Sequence, residues 1–584
     1  MAKSRSATDR AGPLARLDAW LRALNRRRLL RRRHAKHRAA ERAWVAADDA
    51  SHPQAARALL TRFAGLHKPA VLGILIRPSG HQPIPGWPWH RRSALTENWR
   101  VVSADPSLAV DLPGLLQTAS TDVIALLPGD CCLAAHAPAL IAEAIARFPN
   151  FVLLYGDEDC VDSEGWRHSA LLHGSWNAEL LRSTPYLSGL VVVRRDALSA
   201  LVSQGIQLQA TGWWDLLLRL TEHATDIDVV HIPHVLSHRL ADQRVSRHVA
   251  VPPVEAGHLA VVQQHLERRG LDGRALASPH GGVHVRYAVP TPAPLASLVI
   301  PTRNGLHLLR QCVQSILEHT TYAPYEIVIV DNGSDDPETL HYLRELQADP
   351  RIRVQRDDRP FNFAALNNAA VPLCRGQVLG FVNNDVEVIS PGWLDEMVGL
   401  AMRPDVGAVG ARLWFSNATL QHAGVILGIG GVAAHIHQRL SREQPGYQGR
   451  AHVTQEFSAV TAACMLMRRD VFEQVNGFDE VAFAVDFNDI DLCLRIRSAG
   501  WRVVWTPHAE LFHHESATRG ANWSDEQKAR HAREYQRMRE RWARWLDNDP
   551  AYNPNASLKN LDFAYSIATE PRVSLSRPWF DQLP

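Results

Sequence analysis

Three short stretches end apolar runs in side chains that can hold a cation and a polar ligand. Val378, Leu379, Phe381 and Val382 stop abruptly at Asn383, Asn384 and Asp385. EIVIV (326–330) runs into Asp331-Asn332-Gly333-Ser334, and the run from Ala296 ends in Pro301-Thr302-Arg303-Asn304. Carboxylate and amide oxygens are the ligands that hard divalent cations prefer. A fourth stretch, Asp486-Phe487-Asn488-Asp489-Ile490-Asp491, opens the helix-like run DLCLRIRSAGW and brings carboxylates capable of proton transfer. Each alone reads as a capped turn, because Asn and Asp are ordinary turn residues. Four of them in one half of the chain read as a site.

The elements that would position them are short buried strands alternating with amphipathic helices. The spacing predicts helices over Leu306–His319, Pro337–Gln347 and Ala364–Val371, with strands before and after each. Such alternation predicts a mostly parallel, Rossmann-like α/β sheet. In such a sheet ligands sit beyond the carboxyl ends of the strands, so all four stretches would share one edge. An earlier alternation spans residues 71–240, and PTPAP (290–294) marks a boundary.

The two halves repeat one another. DVIALLPGD (122–130) aligns without a gap on QVLGFVNND (377–385), placing Asp130 opposite Asp385. VVVRRDAL (191–198) matches MLMRRDVF (465–472), and WWDLLLRL (213–220) matches DIDLCLRI (489–496). Three collinear matches more than 200 residues apart imply two tandem copies of one domain. The expected division is a basic arm (1–50), a first copy (68–290), a second copy (295–520), and a C-terminal helix and tail (521–584).

Composition narrows the class. With 584 residues, 46% hydrophobic and 21% charged, the chain is an ordinary globular protein of two to three domains. Seven scattered cysteines without a C-x-x-C pair fit reduced thiols rather than a disulfide framework or a zinc site. No apolar stretch approaches the ~20 residues of a membrane helix. Ala423–Ala434, with its four glycines, is expected to be a loop or strand pair. No secretory signal is visible, so the chain reads as soluble or peripheral. Residues 1–50 carry a local charge of +9 within a net +2. Leu14, Leu17, Leu21 and Leu24 recur at helical spacing ahead of Arg26–Arg28 and Arg31–Arg33. Residues 14–42 therefore read either as a helix on an anionic membrane surface or as a solvated arm. Nucleic acid is not expected, because the remainder is net acidic.

Read in order, VIPTRN, VIVDNGSDD, FNFAALNNAA, VNNDVEVISPGWL, LQHAGVILG, VTAACMLMRRDVF, GFDE, DIDLCLRIRSAGW and TPHAELFHHESATRG form a series. On these motifs, residues from about Ser297 to Gly520 resemble the family 2 glycosyltransferases of GT-A fold. The resemblance is closest to the rhamnosyltransferase-like bacterial branch that builds O-antigen and related surface polysaccharides. It implies a metal-dependent hexosyltransferase with a nucleotide-sugar donor (dTDP-, UDP- or GDP-linked) and a glycan or lipid-linked glycan acceptor. Asp331 then corresponds to the carboxylate that bonds the nucleotide base, with Pro301, Thr302 and Asn304 lining that pocket. Asn362 and Asn367 stand where such enzymes approach the nucleotide. Asn383-Asn384-Asp385 occupies the D-x-D position, departing from it by two asparagines, with Asp385 the expected ligand of Mn²⁺ or Mg²⁺. His513 matches a histidine that completes the metal site in some members, and His514 is a close alternative. Asp489 aligns with the family's catalytic base, with Asp486 and Asp491 as neighbours. The resemblance places the protein in the cytoplasm, peripheral at the inner face of the bacterial cytoplasmic membrane.

The first half reads as a degenerate, GT-A-like copy. Trp213 stands opposite Asp489, and Pro128-Gly129 opposite Asn383-Asn384, although Asp130 survives. Asp157 and Asp159 in YGDEDCVDSEG read as a loop carboxylate cluster or a cation site. Two rival readings remain: a non-catalytic glycan-binding scaffold, and a bifunctional transferase with both copies active.

Overall fold

The computed structural model describes residues 39–48, 58–59, 61–62, 72–77, 99–102, 116, 121–128, 130–204, 212–241, 251, 254–514, 523–559, 568 and 571–582. The basic stretch Leu14–Arg33 lies outside them.

Two large sheets organise the chain. The first holds β1 (Leu72–Arg77), β2 (Trp99–Val102), β3 (Val123–Pro128), β4 (Cys131–Leu133), β5 (Leu153–Val161), β6 (Arg167–Leu171), β7 (Val191–Arg194) and β8 (Val229–Leu240). A hairpin of β9 (Gly273–Ala277) and β10 (Val283–Tyr287) follows. Next come β11 (Ala296–Thr302), β12 (Tyr325–Asp331), β13 (Ile352–Arg356), β14 (Val378–Val382), β15 (Val386–Val388) and β16 (Val406–Trp414). The series closes with β17 (Leu420–His422), β18 (Val425–Leu427), β19 (Ala433–His435), β20 (Gln455–Glu456), β21 (Cys464–Arg468) and β22 (Arg502–His513).

The strand order is β2-β1-β3-β7-β5-β8-β4 in the first sheet and β13-β12-β11-β14-β21-β16-β22-β15 in the second. Apart from the extra edge strand β13, the second order repeats the first. Each equivalent pair also runs in the same sense. β1, β2 and β3 are parallel, as are β11, β12 and β14, and β7 and β21 run against both of their neighbours. Register follows suit: Val123 faces Arg194 as Val378 faces Arg468. The helices Gly212–Leu220 and Asn488–Ser498 carry matching i,i+4 ion pairs, Asp215–Arg219 at 2.9 Å and Asp491–Arg495 at 2.8 Å. Tandem matches read from sequence thus correspond to equivalent positions in two mixed α/β sheets.

Helices match the apolar spacing closely. Leu306–His319 is helical as expected, and its buried face presents Leu309, Cys312, Val313 and Ile316 to the sheet. All five residues of β14 are buried, which fixes where Asn383 emerges. Ala423–Ala434 contains β18 and most of β19, paired antiparallel. All seven cysteines are free thiols. No helix among the described residues is long and apolar enough to cross a membrane.

Three expectations are corrected. Asp157 and Asp159 lie in β5, not in a loop, and are 1% exposed. Asp157 accepts from Asn553 Nδ2 and the His173 N–H and lies 2.9 Å from His231, while Asp159 is paired with Arg167 and His238. No oxygen pair is left for a cation. The end of the proposed arm, residues 39–48, is a docked helix: Trp44 is buried and Glu41 accepts the Ala170 N–H. The C-terminal tail is a strap across the first sheet, with Val573, Leu575 and Trp579 in its core. Hydrogen bonds from Asn553 and Asn555 hold this strap rather than regular elements, so it leaves no periodic signal.

The two units share a buried polar interface. Glu179, 1% exposed, meets Arg182 of its own unit and Arg403 and Arg502 of the other, and Tyr287 donates to it at 3.1 Å. Burial alone would raise this carboxyl; the three guanidinium groups outweigh it and hold it far below the usual range. Asn177 brackets the Glu456 backbone, donating to its C=O at 3.0 Å and accepting from its N–H at 3.2 Å.

Candidate active site

At the carboxyl ends of β11, β12 and β14, strand register together with side-chain and backbone hydrogen bonds connects the polar residues. Asp331, 3% exposed, is the register partner of Thr302. Its carboxylate accepts from the Ser334 N–H at 3.0 Å and from Arg356 Nη1 at 2.7 Å. Asn384 Nδ2 donates to Thr302 Oγ1 at 2.9 Å, tying the end of β14 to the end of β11. The Asn383 N–H donates to the Ala463 C=O at 3.0 Å. One residue earlier, the Ala462 N–H donates to Asp489 Oδ2 at 3.1 Å. A two-residue stretch of backbone therefore holds both the NND turn and the carboxylate at the start of helix Asn488–Ser498.

Local backbone aims Asp489. Phe487 precedes the helix in the left-handed region, at φ 61°, a costly conformation for a bulky side chain. The C-terminal helix Asp525–Arg541 holds that turn, since Glu534 Oε2 accepts the Asp486 N–H at 2.6 Å. Asp491 is fully buried and accepts from Arg495, Arg541 and Trp542, so it anchors the helix and is closed to a ligand. Asp489 is partly exposed.

Asp385 follows the turn and is 6% exposed. His513 Nε2 lies 3.2 Å from its Oδ1, and that oxygen is buried with no hydrogen-bond donor. Burial works against ionisation of Asp385; a charged His513 ring, donating from Nε2, outweighs it and sets the carboxyl below its ordinary value, whereas the neutral ring can present Nε2 as a ligand. His513 Nδ1 is 2.9 Å from Gln421 Oε1, while Gln421 Nε2 donates to the His513 C=O at 3.3 Å. That orientation puts the ring proton on Nδ1 and turns the Nε2 lone pair toward Asp385 and the Asn383 amide, 3.2 Å away. An orphaned carboxylate oxygen facing an imidazole lone pair, with an amide fixing the ring from behind, fits a divalent cation. His514 is engaged elsewhere, 2.9 Å from Glu387 Oε2 and 2.7 Å from Ser416 Oγ. Among the described residues no three His, Cys, Asp or Glu side chains form a cage.

Three expected ligand contacts are spent within the fold. Asn304 bridges Asp335 through Nδ2 and accepts the N–H groups of Asp335 and Asp336, latching two loops. Asn362 caps the helix Phe363–Ala370 and donates to the Glu480 C=O. Asn367 is fully buried and donates to Phe363. Asn304 and Asn362 remain partly exposed at the site, whereas Asn367 is buried. Pro301 is half-buried at the end of β11. Gln421 and Arg356 escaped the sequence reading. Gln421 sits in LQHAGVILG with nothing in its spacing to mark it, and Arg356 lies on an edge strand where a lone arginine is unremarkable.

A mixed sheet whose central strands end in these carboxylates and amides is a GT-A-like arrangement. Residues 297–475 match the family model of glycosyl transferase family 2. It is 41% identical over 460 residues to the uncharacterized protein y4gI of Sinorhizobium fredii, covering 78% of this chain and 50% of that one. It is 36% identical over 444 residues to the O-antigen biosynthesis protein RfbC of Myxococcus xanthus, covering 76% and 34%. N-acetylglucosaminyl-diphospho-decaprenol L-rhamnosyltransferase of Mycobacterium tuberculosis is 26% identical over 263 residues, covering 41% and 82%. The chain thus spans half or less of the length of the first two relatives.

Proposed function

We propose that the protein is an inverting glycosyltransferase whose chemistry lies in the second unit. It moves a sugar from a nucleoside-diphosphate donor to a hydroxyl of a growing, lipid-linked bacterial surface polysaccharide. The observation that carries this reading is the path from Asp331 through Thr302, Asn384 and Ala462–Ala463 to Asp489, with Asp385 and His513 beside it. The names of the RfbC and decaprenol relatives support the acceptor class.

In this reading Asp331 accepts from the nucleobase, and Pro301, Thr302 and the amides of Asn383 and Asn384 line the donor cleft. Asp489 takes the proton of the attacking hydroxyl. The acceptor oxygen bonds to the anomeric carbon as the bond to the diphosphate oxygen breaks, so configuration inverts without a covalent intermediate. A divalent cation, Mn²⁺ or Mg²⁺, held by Asp385 and His513 would supply positive charge to the leaving diphosphate. The first unit is a degenerate copy that frames the second. The basic stretch 14–42 would place the protein on the inner face of the cytoplasmic membrane; flotation with anionic liposomes, lost on deleting residues 1–38, tests it.

The test of the activity uses the whole chain, because removing the first unit would strand Arg403, 5% exposed, without Glu179. Release of nucleoside diphosphate from dTDP-, UDP- and GDP-sugars is measured with Mn²⁺. One donor is expected to turn over, and Asp489→Asn to abolish transfer. Wild-type turnover in Asp489→Asn would overturn the reading.

A further inference from the structure

The two sheets place different groups beside equivalent aspartates. In the second sheet β15 and β22 pair with Val386 opposite His513, and Asp385 immediately precedes Val386. In the first, β4 and β8 pair with Cys131 opposite Arg239, and Asp130 immediately precedes Cys131. Register therefore puts Arg239 at the position of His513. Its Nη1 lies 3.4 Å from Asp130 Oδ2 and its Nη2 3.6 Å from Glu158 Oε2. Both carboxylates are buried, Asp130 at 5% and Glu158 at 2% exposure. The other oxygen of Glu158 accepts from Ser188 Oγ at 2.7 Å.

A guanidinium cannot be deprotonated at this site and spreads its charge over a rigid fork suited to two carboxylates. A divalent ion entering beside it would meet a fixed positive charge and find Asp130 already engaged. The base position is closed as well. Trp213, opposite Asp489, donates its indole N–H to the Leu187 C=O at 2.9 Å.

We infer that Arg239 is a built-in substitute for the divalent cation, which keeps the Asp130 pocket of the first unit metal-free and confines metal binding to the second unit. This rests on the assignment of Asp385 and His513 as metal ligands, and it bears against activity in both copies.

Electron paramagnetic resonance titration of Mn²⁺ in the presence of UDP, GDP or dTDP counts the ions bound per full-length chain. The wild type is expected to bind one, Asp130→Asn one and Arg239→Lys one, while Arg239→His, which recreates the aspartate–histidine pair, binds two. Loss of an ion in Asp130→Asn would overturn the inference, whatever the folding of the Arg239 variants. So would a single ion in an Arg239→His protein that melts like the wild type. The assignment in the second unit fails separately, if Asp385→Asn still binds its ion.

Discussion

His513 Nε2 and Asp385 Oδ1 stand 3.2 Å apart with no hydrogen between them in the tautomer that Gln421 imposes. With Asp385 and His513 as the proposed metal ligands, Gln421 would set metal affinity without touching the metal. Gln421→Ala is expected to weaken Mn²⁺ binding by roughly 10- to 100-fold, as loss of such an outer partner does. Calorimetric titration in the presence of a nucleoside diphosphate measures it.

Asp489→Asn keeps an oxygen for the Ala462 N–H, so the turn should survive while the proton acceptor is lost. The expected result is a fall in kcat of about 10²- to 10⁴-fold. The nucleotide-induced rise in Tm should stay as in the wild type, since ligand binding to the folded state is unchanged.

Asp491 gathers Arg495, Arg541 and Trp542 around one fully buried carboxylate. Asp491→Ala leaves these donors without their acceptor and should cost about 3 kcal/mol. Urea unfolding of the variant measures the loss. The equivalent Asp215, whose side chain is 12% exposed and serves mainly Arg219, should cost less when changed to Ala.

Much of this was legible beforehand, and the failures have physical causes. Apolar runs bounded by Asn and Asp located β14 and its NND turn to the residue. The helix over Leu306–His319 was equally plain, since one face alone is apolar. Side-chain direction was not legible. Asn304, Asn362 and Asn367 have the composition of ligand contacts, yet an amide serves a loop or a helix cap equally well. Arg239 could not be assigned from spacing, because only strand pairing shows that it shares the place of His513.

The Glu158 carboxyl carries a pH signature. Burial would raise it, but the His173 ring and the Arg239 guanidinium prevail and lower it to about 2. A carboxyl depressed on folding stabilises above its unfolded value and loses that contribution as pH falls toward the folded one. Unfolding midpoints should therefore drop between about pH 4.5 and pH 2, by an amount on the order of 3 kcal/mol. Glu158→Gln should flatten that part of the profile.

The bonds from Asn553 to Asp157 join positions 396 apart in the chain. The earlier unit must wait for a segment made 396 residues later before its buried carboxylate finds both amide bonds. Vectorial folding, in which an N-terminal unit matures while the rest is still being made, is thereby denied to this sheet. A nascent chain stalled short of residue 553 would present an unfinished surface to chaperones and proteases.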